Sequence, residues 1–189
     1  MEKVGVHKRE ILVDRVEEAR DTQEETKEQF NSALEAFSSL TGFEGGDLED
    51  KYTELSNVLE DSEDKADELH KRIEAIEDVS TALFREWEAE LDEYSSANFR
   101  RSSARQLEDT RTHYKQLIGA MRKAESKIEP VLQPLRDQVL YLKHNLNARA
   151  IASLQHDLQD IRTDVSSLIR DLEDAVAEAN RFIASMEQG

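Results

Sequence analysis

A chain of 189 residues with a formal net charge of −17, 35% charged residues, six glycines, two prolines and no cysteine is long enough for one domain with a buried core. This composition excludes a disulfide framework and thiolate chemistry, and it is too poor in turn residues and aromatics for a sandwich, a barrel or a doubly wound sheet. The acidity opposes binding to nucleic acid or to an anionic lipid surface, both polyanions. No run approaches the ~18 apolar residues of a membrane span, and Met1 to Arg20 lacks the apolar block of a secretion signal.

In the first segment Leu12, Val16, Ala19, Gln23, Thr26, Phe30, Ala33, Phe37 and Leu40 are spaced alternately four and three apart, a heptad seam on one helix face. Glu17, Asp21, Glu24 and Glu28 lie opposite, with no histidine or apolar wall, as a solvated row does. Thr41 to Gly46 stops this helix, and Asp47 is placed to cap the next. The second helix continues through Leu48, Tyr52, Leu55, Leu59, Ser62, Ala66, Leu69, Ile73 and Ile76, then Val79, Leu83, Trp87, Leu91 and Tyr94, roughly 70 Å in all. Its acidic run from Asp61 has Lys65 and Ala66 where an EF-hand needs oxygen ligands and glycine.

Tyr94 to Ser103 is the next turn, with Ser103 and Gln106 spaced as a capping box. The third seam is Leu107, Thr110, Tyr114, Leu117, Met121, Ala124, Ile128, Val131, Leu135, Gln138 and Leu142. Its phase passes through Pro130 and Pro134 without a skip, so a continuous helix kinked there is expected, with two helices meeting near Glu129 as the alternative. Lys143 to Arg149 form the last turn, capped by Asn145 or Asn147. The fourth seam runs from Ile151 through Leu154, Leu158, Ile161, Val165, Leu168, Leu172, Ala175, Ala179 and Phe182 to Met186.

The expected fold is all-α: one domain over 1–189, an elongated antiparallel bundle of four long helices with coiled-coil-like heptad packing, the helices spanning roughly 8–40, 47–95, 102–144 and 147–187. Residues 47–96 carry most of the negative charge while 97–146 are net positive, so the third helix is expected to pack beside the second.

Folding the chain about its turns brings Gln23 and Thr26 level with Ser62, Pro130, Pro134, His156 and Gln159. A polar waist is expected there, as a hinge, a small pocket or a few polar groups satisfied by water. Two other patches are candidate interaction surfaces. Phe99, Arg100, Arg101 and Arg105 form a basic turn on an acidic body, suited to an acidic partner or to charge complementarity with the second helix. Val139, Tyr141 and His144 belong to a stretch with apolar residues on more than one helix face, suited to a second internal layer or to a partner.

No catalytic, cofactor-binding or metal-binding residues are singled out. The five histidines are scattered, none follows glutamate at the spacing of di-iron bundles, and no HExxH, phosphate loop or nucleophile elbow occurs.

The strings MEKVGVHKREILVDRVEEARDTQEETKEQF and RDQVLYLKHNLNARAIASL resemble an uncharacterised bacterial family, a domain of unknown function, whose members are mostly predicted envelope lipoproteins. The resemblance covers essentially the whole chain. It implies no activity, but a place on the periplasmic side of the envelope, with membrane contact only through an N-terminal lipid-bearing cysteine that this sequence does not contain. Met1 is then expected to follow that anchor. The leading expectation is a non-enzymatic structural or protein-interaction module of the envelope, partnered by an envelope protein, by itself or by both. The alternatives are a bundle holding a small ligand or peptide at the waist and a cytoplasmic coiled-coil adaptor.

Overall fold

The computed structural model describes residues 2–42 and 46–188, with side chains from His7 onward except Thr41. The described residues are helical apart from short turns: α1 (Glu2–Ser38), α2 (Leu48–Glu90), α3 (Ala97–Ser126), α4 (Ile128–His144) and α5 (Ala148–Gln188), with 3-10 turns at Ser39–Gly42 and Leu91–Glu93. Phe43, Glu44 and Gly45 of the first turn lie outside the described residues.

The periodic apolar positions become the core. On α1 and the 3-10 turn that follows it, every seam position from Leu12 to Leu40 is buried, including the polar Gln23 and Thr26. On α5 every seam position from Ile151 to Phe182 is buried. Withdrawing a side chain such as Phe30, Phe37 or Leu168 from water contributes about 1.5–3 kcal/mol each, which makes these stripes the main source of cohesion. On α2 the buried stripe widens beyond Ile76 to take in Ser80 and Phe84, and the Phe84 ring meets Tyr114 of α3 edge-on at 5.5 Å.

Side-chain bonds fix which helices adjoin. Between α1 and α2, Glu18 pairs with Arg72 at 3.0 Å, Glu25 with Lys65 at 2.8 Å, and Lys8 with Glu86. Between α1 and α5, Arg20 Nη1 donates to Asn180 Oδ1 at 3.1 Å, and Lys27 lies 3.8 Å from Glu173. The acidic α2 faces the basic third segment as its charge requires: Glu88 pairs with Arg111 at 3.0 Å, Glu77 with Arg122, and Glu63 with Arg136 at 3.1 Å.

The caps are partly those expected. Asp47 accepts from the backbone N–H of Glu49 at 2.9 Å, and Asn147 Oδ1 accepts from Ala150 N–H at 3.0 Å. The start of α3 is a correction: the helix begins at Ala97, capped by Ser96, whose hydroxyl accepts from Phe99 N–H at 3.3 Å. Ser103 lies inside the helix and accepts from the Trp87 indole N–H at 2.8 Å. A nearly buried indole needs an acceptor, and Ser103 supplies it.

The third long segment is divided. Lys127, at φ −92° and ψ −5°, stands alone between α3 and α4, its N–H bonded to Ala124 O at 3.1 Å. The cause is Pro130: it has no N–H for the Ser126 carbonyl four residues back, and its ring crowds that carbonyl. In the first turn of α4 the same proline is tolerated. Lys127 then serves as a tie, its Nζ 2.9 Å from Asp171 Oδ2 and donating to Ser167 Oγ at 2.7 Å, so the α3–α4 junction is bound to α5.

Candidate functional site

Downstream of that junction, α4 carries a second proline, Pro134, inside the helix, so the Pro130 carbonyl also lacks its helical donor. The outward face of α4 and the adjoining face of α5 enclose a groove of about 620 Å³. Tyr141 and Pro134 supply its apolar surface over a floor of the buried Leu154 and Ile161; Gln133, Asp137 and Gln138 line it from α4, and Ser153, Asp157, Asp160 and Asp164 from α5. The volume is that of an ordinary binding cleft.

The groove presents acceptors. Gln133 Nε2 donates to Asp137 Oδ1 at 3.1 Å, and no cation pairs with Asp137, Asp157, Asp160 or Asp164 among the described residues. Gln138, only 5% exposed, uses its Nε2 on the Leu154 carbonyl at 3.3 Å, and its Oε1 accepts no hydrogen bond among the described residues. On the opposite side of the same helix Arg136 is held by both Glu63 and Glu129, the Glu129 hydrogen bond first among the causes that raise its pKa. The four carboxylates do not form a metal centre: no group of three His, Cys, Asp or Glu side chains among the described residues converges in a way that could hold an ion.

The stretch around Val139 divides between the two roles considered for it. Val139 and Leu142 are core residues, whereas Leu140 is 58% exposed, Tyr141 43% exposed, and His144 and Leu146 exposed. Tyr141 belongs to the groove; Val139, on the inner face, is removed from the surface set.

The basic turn lies at the α2–α3 connection. Phe99 is 67% exposed and, with Tyr94, Trp87 and Arg9, lines a second cavity of about 540 Å³. The Arg9 guanidinium stacks 4.2 Å above the Trp87 ring. Arg100 Nε donates to the Leu91 carbonyl at 3.1 Å, closing the turn, and Arg101 Nη2 donates to Asn98 Oδ1 at 2.7 Å within the first turn of α3. Arg105 is exposed. With Glu90, Asp92 and Glu93 in the same turn, the patch is not a free positive surface.

The expected waist is brought together only in part. Gln23, Thr26 and Ser62 are buried, Pro134 is partly buried, and Pro130, His156 and Gln159 are exposed. Levels counted about the turns ignored the stagger of α5: Lys27 meets Glu173, while Gln155 Nε2 reaches the Leu40 carbonyl at 3.1 Å. His156 and Gln159 therefore lie toward the far end of α1, and Gln23 is level with residues near 177. Thr26 and Ser62 hydroxyls donate to carbonyls of their own helices, Thr22 O at 2.6 Å and Val58 O at 2.8 Å, and Ser62 Oγ also accepts from Gln29 Nε2 at 3.2 Å. Gln23 differs: it is fully buried and neither amide atom has a partner.

Across α2 and α3, His70 Nδ1 lies 3.2 Å from Glu125 and its Nε2 2.8 Å from Glu74. The hydrogen bond to Glu125, followed by that carboxylate's charge, raises the imidazole pKa above its ordinary value.

The residues the sequence reading missed are those of the groove: Asp137, Gln138, Asp157, Asp160 and Asp164. A signal existed, since 157, 160 and 164 share one face of α5 with the same sign, and Arg162, the one cation between them in sequence, falls on another face at helical spacing. It reads as a solvated row until α4 is laid beside it.

An all-helical protein with surface grooves among its described residues is the class these features define. The chain belongs to the family described as protein of unknown function (DUF2959), which matches residues 1–186. No curated protein and no solved structure matches it. Among the described residues no helix is long and apolar enough to cross a membrane.

Proposed function

We propose that the protein is a non-enzymatic interaction module of the bacterial cell envelope, acting through helical surfaces and held on the periplasmic side by an N-terminal lipid anchor. In this reading its body is an elongated antiparallel bundle with heptad-like packing, bent in its third long segment at Pro130 and Pro134. The alternating seams and the order of the interhelical ion pairs support that shape, because rising numbers on α1 meet falling numbers on α2 and α5. The envelope assignment is supported by the resemblance of the opening and of residues 136–154 to predicted envelope lipoproteins.

The observation that carries the interaction role is the outer face of α4 and α5, where the exposed Tyr141 adjoins a groove of uncompensated carboxylates. A side chain this large and apolar gains by being covered, and carboxylates in a row gain by meeting cations.

The test is crosslinking in living cells from a photoreactive residue at Tyr141, at Phe99 and at Glu24 as an acidic control. A defined heterologous protein captured at Tyr141 or Phe99 and absent at Glu24 supports the module, and its compartment decides between the envelope and a cytoplasmic adaptor. Capture at none of the three refutes it.

A further inference from the structure

We propose that the α4–α5 groove receives a basic amphipathic helix of a second protein, its apolar side chains against Tyr141 and Pro134 and its lysines or arginines against Asp137, Asp157, Asp160 and Asp164. This deepens the interaction reading above and rests on it.

Charge comes first. The four carboxylates lack a cationic partner among the described residues; exposed acids such as Asp61, Asp64 and Asp78 on α2 lack one too, but these four line one groove. Asp157, Asp160 and Asp164 repel one another at three- and four-residue spacing along α5. The same stripe provides an internal comparison. Asp171, one heptad beyond Asp164, is compensated by Lys127 at 2.9 Å and approached by Lys123 at 4.0 Å. Alongside the other three, α4 presents Gln133 and Asp137 instead. The groove is therefore a place where this chain's own cations do not reach.

Hydrogen bonding points the same way. Besides the carboxylates, the free Oε1 of the nearly buried Gln138 is an acceptor, so the occupant has to be rich in donors, as ammonium and guanidinium groups are.

Shape selects a helix over a small cation. Asp157, Asp160 and Asp164 rise by about 4.5 and 6.0 Å, the spacing of lysines placed three and four apart on a facing helix. From Ser153 to Asp164 the groove runs about 17 Å, three helical turns. The exposed Tyr141 ring and the partly buried Pro134 are covered by apolar side chains, which spermine and divalent ions lack. The mode is an amphipathic helix laid in a groove between two others.

The probe is a synthetic 14-residue amphipathic helix with leucines on one face flanked by lysines, set against its glutamate counterpart, spermine and calcium. Each is titrated into the full chain while backbone amide resonances are followed. The lysine peptide is expected to shift resonances within 133–141 and 153–164, to weaken as salt is raised, and to outbind spermine and calcium. D157N/D160N/D164N is expected to weaken it about tenfold, while raising the melting temperature by about 1–4 °C through relief of repulsion, so lost binding is not lost folding. D61N/D64N/D78N removes the same charge from exposed positions of α2 and is expected to leave affinity within about twofold.

Equal loss in both triple variants, or shifts spread over every acidic face, overturns the proposal in favour of non-specific attraction. Spermine or calcium filling the groove as tightly as the peptide overturns it in favour of a small cation. Self-association abolished by D157N/D160N/D164N overturns it in favour of a second copy. Crosslinks at Phe99 and none at Tyr141 would leave the interaction module standing while removing this groove from it.

Discussion

Gln23 offers the sharpest test of the core. Its side chain is fully buried on the α1 seam, and neither Oε1 nor Nε2 finds a partner. A buried amide left without hydrogen bonds costs about 1–3 kcal/mol by protein mutational measures. Methionine has nearly the same length and volume and carries no such cost, so Gln23→Met is expected to stabilise the protein by about 1–3 kcal/mol, without the cavity that alanine would leave. For a chain of this size that corresponds to a rise in melting temperature of about 2–10 °C. Urea unfolding should show a higher midpoint at an unchanged slope, because the surface exposed on unfolding is the same. A polar residue on a heptad-like seam also restricts alternative registers, so the methionine variant is expected to show a broader distribution of species by sedimentation. An unchanged or lowered midpoint would refute the reasoning and would mean that an internal water satisfies the amide.

Three further outcomes follow from the ties between helices. Lys127→Met removes the nearer cation from the 5%-exposed Asp171; discounted for the partial exposure of Lys127, the loss is about 1–3 kcal/mol. Lys127→Met combined with Asp171→Asn should recover most of it in a thermal-melt double-mutant cycle. His70, its pKa raised by Glu125, binds protons more tightly folded than unfolded. Its contribution is complete below about pH 6.5, the unfolded value, and is lost as pH rises through the raised folded value. Melting temperatures of the parent and His70→Gln should therefore differ most in acid and converge above that range, and a gap that widens with pH would contradict the assignment. Ser103→Ala takes the acceptor from the indole N–H of Trp87, the only tryptophan, and should cost about 1 kcal/mol while shifting tryptophan emission to longer wavelength.

How far the sequence could be read depended on whether one local rule or two decided each feature. The α1 and α5 seams were legible because apolar residues recur with a single period and polar ones fill the gaps; Leu12 to Leu40 and Ile151 to Phe182 are all buried. At the start of α3 the capping-box spacing of Ser103 and Gln106 pointed to the wrong serine: the helix is capped by Ser96, and Ser103, inside it, accepts from Trp87 on another helix. At the prolines the uninterrupted seam was real, with Ile128, Val131 and Leu135 all buried, yet a continuous buried stripe does not require a continuous helix. One residue, Lys127, leaves the helical path without losing the phase.

The groove was illegible for a different reason, and that reason bears on function. A row of aspartates on one helix is neutral information until its neighbour is known, because exposed acids are the default surface of so acidic a chain. What gives the row meaning is the distribution of the basic third segment. Arg111, Arg122 and Arg136 all turn toward α2, and Lys127 and Lys123 reach only Asp171 on α5. These five cations are used where helices of this chain meet, and the α4–α5 outer face is left with acceptors beside an exposed Tyr141. Internal stability alone would favour a lysine at Gln133 or a neutral residue at Asp160. On the interaction reading proposed above, the compensating charge is supplied from outside the chain, by what the groove receives.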